Sequence, residues 1–339
     1  MASGSLLALG CATACSSSSS SSSGGSADIP TVTIGLTGQD AIFADVVLAE
    51  QQGFFKQAKV NVELIDQEAS ATTNGAAGRV DLVGSGTPSA LPAAANGRQT
   101  AVVYEYISGN GDSGLVVPAN SSYKSVMDLS GKRVVTKGAG SGSYGAAKTW
   151  SNYIVAHGGK PLVLVPVEST GSMDAETISG QVQAGAGSLT QYTGPLSQGK
   201  LKLLVSPSSA LAYSVFPKSM VGNSYWGLKS EIQKNKVGIT RALLAIRKAD
   251  QYINSHTVAQ VSKVLEASAY LKGLDAADIS AGVQADKPFY AQSLGFISTQ
   301  AWTTTLSVYK NFGLTVNLGS PALTYGSIVN MSYLKSPSS

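Results

Sequence analysis

Charge is scarce in this chain. Of 339 residues only 13% are charged, against roughly 25% in an average soluble protein. The surplus of 24 Lys+Arg over 20 Asp+Glu is a net +4, and only five arginines contribute to it (Arg79, Arg98, Arg133, Arg241 and Arg247). That is too weak a footprint to predict nucleic-acid binding. Cysteine and histidine are scarcer still. Cys11 and Cys15 cannot staple a chain of this length, and with the distant His157 and His256 they cannot complete a zinc site, so no metal site is expected. There is no run of eighteen apolar residues to predict a membrane-spanning helix. The G-x-S-x-G pattern of a nucleophile elbow is also missing. What remains is a chain with 43% hydrophobic residues, enough for a packed core, and 37 glycines.

The first thirty residues are set aside from the fold. Leu6–Gly10 is a short apolar run ending in Cys11-Ala12-Thr13-Ala14-Cys15. An unbroken serine run, Ser16–Ser23, follows, and then Gly24-Gly25-Ser26. Such a tract buries no apolar area and is predicted to be a flexible tether with a reach of roughly 20 Å. An apolar segment, small residues, a cysteine and a polar tether together resemble a bacterial lipoprotein signal. In that family the cysteine is acylated and becomes the new N-terminus. The resemblance implies Cys15, with Cys11 as the alternative, as a lipid anchor on the outer face of the cell membrane. The expected boundaries are 1–15 for the signal remnant and 16–29 for the tether. The segment lacks a basic stretch, so the expected start of translation lies upstream of Met1.

About 310 residues are left, a length that suggests two domains. Strand and helix patterns alternate from Thr31 to Val205. Thr31–Leu36 reads as a strand. Asp40 is placed to cap a helix that ends before Gly53, and Val60–Ile65 has the period of two of another strand. The pattern restarts after Pro118, with Arg133–Thr136 as a strand and Tyr144–His157 as a helix. Gly78-Arg79-Val80-Asp81-Leu82-Val83-Gly84 is echoed faintly by Gly180-Gln181-Val182-Gln183-Ala184-Gly185-Ala186, as expected of two similar lobes. After Val205 the periodicity turns mainly helical, with few strands. The expectation is an α/β protein with two mostly parallel sheets flanked by helices. The first lobe would comprise 30–116 and 207–339, the second 117–206.

Gly140-Ser141-Gly142-Ser143-Tyr144-Gly145 matches G-x-G-x-x-G between a strand and a helix, and Glu168 ends the next predicted strand. This permits a dinucleotide-binding reading, and with it a nicotinamide-dependent oxidoreductase. The same loop also serves any small ligand through its amide groups. The two histidines read as helix C-terminal residues. Lys124, Lys132 and Lys137 read as a solvated face. Tyr225-Trp226 reads as a loop that offers a ligand platform.

Several stretches in order carry a further resemblance. Leu48–Lys56 with Val60–Leu64 has the form A-E-x-x-G-F-F-K…V-x-V-E-L. Gly78–Asp81 with Gly84, Leu115–Pro118, Ser125–Val134, Gly199–Leu204 and Ala242–Asn254 follow it, with Trp302 further on. The chain resembles solute-binding proteins of ABC importers, in the branch that binds sulfonates, taurine, nitrate and thiamine-pyrimidine precursors. Gln183 departs from the pattern, which has Asp there, and the 270–298 region fits poorly. The resemblance implies a monomeric, two-lobed type II periplasmic-binding-protein fold without cofactor or catalysis. It implies a small polar or anionic organic solute, such as a sulfonate, carboxylate or nitrate-like ion, delivered to permease subunits. Related binders of pyrimidine precursors, or a biosynthetic enzyme on the same fold, are the alternative. The loops implied to line the cleft hold Thr37, Gln39, Asp40, Ser85, Gly86, Thr87, Asn110, Asp112, Ser141, Gly142, Ser143, Tyr144, Gln191, Tyr192 and Trp226. Hydroxyls and helix N-termini there suit an anion, while Tyr144, Tyr192 and Trp226 equally suit a flat neutral ring.

Overall fold

A computed structural model describes residues 28–334 apart from 69, 139, 140 and 315. Cys11, Cys15 and the serine run lie outside the described residues, as does Gly140. No described helix is long and apolar enough to cross a membrane.

Eleven described strands form two sheets. In chain order they are β1 (Thr31–Leu36), β2 (Asn61–Asp66), β3 (Leu82–Gly86), β4 (Thr100–Ser108), β5 (Gly114–Pro118), β6 (Arg133–Lys137), β7 (Val163–Val167), β8 (Ala184–Gly187), β9 (Leu201–Val205), β10 (Val221–Leu228) and β11 (Tyr290–Gly295). The first sheet has the order β11-β4-β10-β3-β1-β2, the second β7-β6-β8-β5-β9. Each is built around one parallel trio, β2-β1-β3 and β7-β6-β8. The strand beside each trio runs antiparallel and arrives from the other lobe: β10 beside β3, β5 beside β8. The sheets are therefore mixed, and their shared order gives the sequence echo a structural basis. Gly78 and Gly180 both turn the chain at positive φ, 72° and 76°, into the third strand of their trio. Without a Cβ, glycine adopts that conformation freely.

The α/β alternation before Val205 appears as expected, but two strands lie in the stretch read as helical. β10 is central in the first sheet and β11 lies at its edge. Helices Lys236–Ser255, Val258–Leu265 and Ala276–Asp286 supply much of the remaining first-lobe core. Helix Thr299–Tyr309 and Phe312 join a second core cluster, which also holds Trp150 and Leu115 from the other lobe. There the Phe312 ring fills the space beside Gly145. His157 and His256 close their helices, with Nδ1 on the Tyr153 and Tyr252 carbonyls at 2.8 and 2.9 Å.

Candidate functional site

Between the lobes lies a cavity of about 380 Å³, within the range of small-molecule sites. Each lobe brings the C-terminal ends of its parallel strands to it, the usual binding edge of open α/β sheets. From the first lobe, β1 runs into Thr37 and Asp40, and β3 ends in Ser85 and Gly86. Asp40 caps the turn Ala41–Phe43, accepting from the Ile42 amide at 3.0 Å. Tyrosine hydroxyls hold this loop from behind: Tyr270 donates to the Gly38 carbonyl and Tyr290 to that of Ala41, each at 2.7 Å.

From the second lobe, β6 ends in Lys137 and β7 runs into Glu168. Helix Gly142–Ala156 points its N-terminus at the cavity. Ser141 caps it, accepting from the Tyr144 amide at 3.1 Å, and Ser143 accepts from the Lys137 amide at 3.2 Å. Contacts between the lobes border the cavity. Lys137 Nζ donates to the Thr37 carbonyl at 3.2 Å. Gly86 faces Gly142 so closely that a Cβ on Gly86 would lie 3.1 Å from the Gly142 amide nitrogen.

Asp112 sits where the chain crosses from the first lobe to the second. Asn110 caps its turn, accepting from the Asp112 amide at 3.1 Å, and the neighbouring Ser113 carbonyl accepts from Trp150 Nε1 at 2.9 Å. The Asp112 carboxylate lies against Gly142, at the N-terminus of the long helix, where any Cβ on Gly142 would collide with Oδ2. Burial and the nearby Asp40 charge push the Asp112 carboxyl up to about 6, against the pull of Lys137 and the Ser188 amide.

A second cavity of about 240 Å³ adjoins the first and shares Asp40 and Gln191 with it. Gln39 lines this one, with Asp174 and Asp278. Burial raises the Asp174 carboxyl to about 7.

Thr37, Asp40, Ser85, Gly86, Asp112, Ser141, Gly142, Ser143 and Gln191 thus line the main cavity. Others from the expected set do not. Thr87 is buried and donates to Ser224 Oγ at 3.0 Å. Asn110 is buried in its capping role. Tyr144 lies half-buried in the first turn of its helix, off the cavity lining. The Tyr192 ring is buried in the second-lobe core beside Met173 and Leu201. Tyr225-Trp226 is no loop: both residues are buried in β10, and Trp226 acts from behind the lining, donating from Nε1 to Ser85 Oγ at 2.9 Å. None of these aromatic rings forms a platform in the cleft.

The expected set lacked some residues that do line it. Lys137 and Glu168 were legible as strand C-terminal ends, and Lys137 is no simple surface lysine. Thr72, Thr73 and Ala76 come from helix Ser70–Ala76, Pro92 and Ala93 from helix Leu91–Ala95, and Asn223 from β10. No charge or glycine pattern marks these positions. The glycine loop is a poor place for a dinucleotide, because the Asp112 carboxylate against Gly142 sets negative charge beside the start of the helix, where a pyrophosphate would add more.

Two mixed sheets of this order, facing each other across a cavity, define the two-lobed periplasmic-binding-protein-like fold. The chain belongs to the NMT1/THI5-like family, whose model matches residues 41–259. No curated protein matches it. Among solved structures it is similar to a Bordetella bronchiseptica protein at TM-score 0.73 and 18% identity, covering 89% of this chain and 95% of that one. It is similar to the alkanesulfonate-binding protein SsuA of Xanthomonas axonopodis pv. citri, bound to MOPS, at 0.68 and 18%, covering 89% and 98%. The periplasmic nitrate-binding protein NrtA of Synechocystis matches at 0.68 and 13%, covering 88% and 86%.

Proposed function

We propose that this chain is the extracytoplasmic solute-binding component of an ABC importer. It holds a small polar organic molecule between its lobes and passes it to permease subunits, acting as a monomer and without catalysis. The expected lobes, 30–116 with 207–339 and 117–206, close on the solute. An acylated Cys15, or Cys11, keeps the protein at the membrane. The observation that carries this reading is the interlobe cavity of about 380 Å³, bridged by the Lys137–Thr37 hydrogen bond and the Gly86–Gly142 contact. Ligand that prefers the bridged arrangement shifts the population toward it. The sulfonate and nitrate binders among the similar structures support the importer class.

The test is a thermal-shift and small-angle scattering screen against small organic solutes. Ligand at about 100 times its Kd stabilises by roughly 2.7 kcal/mol and shrinks the radius of gyration. Stabilisation by nicotinamide nucleotides alone would refute the reading. Acyl labelling tests the anchor: Cys15→Ala is expected to abolish the label, and undiminished labelling would assign it to Cys11.

A further inference from the structure

The charge of the cleft runs against that of the chain. The protein carries a net +4, yet Asp40, Glu68, Asp112 and Glu168 line the larger cavity and Asp174 and Asp278 the adjoining one. Lys137 is the single cationic side chain on either lining among the described residues. Carboxylates gathered along low-dielectric walls focus a negative potential that draws in cations.

The two features that would favour an anion stand beside carboxylates. The Asp112 carboxylate lies against Gly142 at the start of helix Gly142–Ala156, and Lys137 Nζ donates to the Thr37 carbonyl while its charge also faces Asp112. A sulfonate entering here would meet four carboxylates, one of them beside that helix terminus. The unmet hydrogen-bonding capacity points the same way. Gln191, on both linings, and Asp174, on the smaller one, each have a buried side-chain oxygen without a hydrogen-bond partner among the described residues. Both atoms are acceptors and call for donors. Ile42, Phe43, Ala76, Pro92 and Ala93 supply an apolar wall. No group of three or more His, Cys, Asp or Glu among the described residues could hold a metal ion, which favours an organic ligand over a metal cation.

We propose that the cleft selects an organic cation, a primary or secondary ammonium on an apolar body, over a sulfonate-like or nitrate-like anion. The proposal rests on the solute-binding reading above and names its ligand class. The ammonium lies among Asp40, Asp112 and Glu168, and the apolar body lies against Phe43 and Pro92.

The test is calorimetric and thermal-shift titration of the full chain with matched probes on one skeleton: benzylammonium, benzyl alcohol and phenylmethanesulfonate, then the cyclohexyl and n-hexyl series. The expected result is binding of the ammonium members at least roughly tenfold tighter than the neutral and sulfonate members, weakening with salt. Asp112→Asn weakens it further, and so does Glu168→Gln, an exposed change that leaves folding intact. Hits confined to the anions, or equal affinity across charge types, overturn this inference and leave the solute-binding reading standing. No stabilisation by any member of the three charge classes overturns both. Ammonium binding that neither variant changes places the ligand elsewhere and also overturns the proposal.

Discussion

Gly86→Ala places one methyl group in the seam between the lobes. Gly86 has an ordinary backbone conformation, φ −53° and ψ 131°, so alanine adopts it without local strain. Its Cβ would lie 3.1 Å from the Gly142 amide nitrogen and 3.2 Å from the Gly142 Cα. Comfortable carbon contacts are about 3.5–4.0 Å, and these neighbours are backbone atoms that cannot swing aside. The lobes must part by a few tenths of an ångström. Overpacking costs about 1–3 kcal/mol, and one methyl group at a movable seam belongs at the lower end. About 1 kcal/mol taken from the bridged state alone is roughly a fivefold loss of solute affinity. The strain is absent when the lobes are apart, so the unfolding free energy without ligand should change by less than about 0.5 kcal/mol. Isothermal titration reads the first quantity and urea unfolding the second. Gly326→Ala, where nothing lies within 4 Å, is the control. Unchanged affinity in Gly86→Ala would refute closure onto this contact. An equal loss of stability without ligand would show the contact to be permanent.

Three further outcomes are expected. Burial raises Asp45 to about 7 and Glu105 to about 8, so between about pH 4 and 8 the folded chain binds more protons than the unfolded one. Their contribution to stability is full below about pH 4 and is lost as pH rises through those folded values. Urea midpoints from pH 4 to 9 should fall, less steeply in Glu105→Gln, and a rising profile would contradict this. Gly145→Ala drives a Cβ into the Phe312 ring and should destabilise by about 1–3 kcal/mol; a neutral effect in urea would show that the ring moves freely. Lys137→Met removes the cation that holds the Asp112 carboxyl down, so that group should titrate above about 6 in carboxyl NMR; a lower value would overturn the assigned pairing.

Much of the fold was legible because local chemistry and tertiary role agree. Asp40 reads as a cap and is one, and Gly53 closes the following helix at φ 67°. β10 was missed because its sequence, Val221 to Leu228, contains Gly222, Asn223, Ser224 and Gly227, which read as loop. In the sheet the two glycines are close-approach positions: a Cβ would collide with the Gly109 carbonyl oxygen at one and that of Asp81 at the other. Tyr225 and Trp226 then fill the core instead of the cleft. In the site, strand ends were readable from the α/β pattern, which led to Ser85, Asp112 and the Ser141–Ser143 loop. Thr72, Pro92 and Asn223 reach the cavity from elements without such a signal. The acidity of the cleft was hidden because its six carboxylates come from separate stretches of a chain that is positive as a whole.

The most direct measurement is a crystal structure of the full chain with the tightest-binding solute from the screen. The solute is expected in the interlobe cavity beside the Gly86–Gly142 contact, with its polar group on Asp40 and Asp112 and with the Lys137–Thr37 hydrogen bond in place. A solute bound outside the interlobe cavity, or lobes held apart around it, would contradict the account.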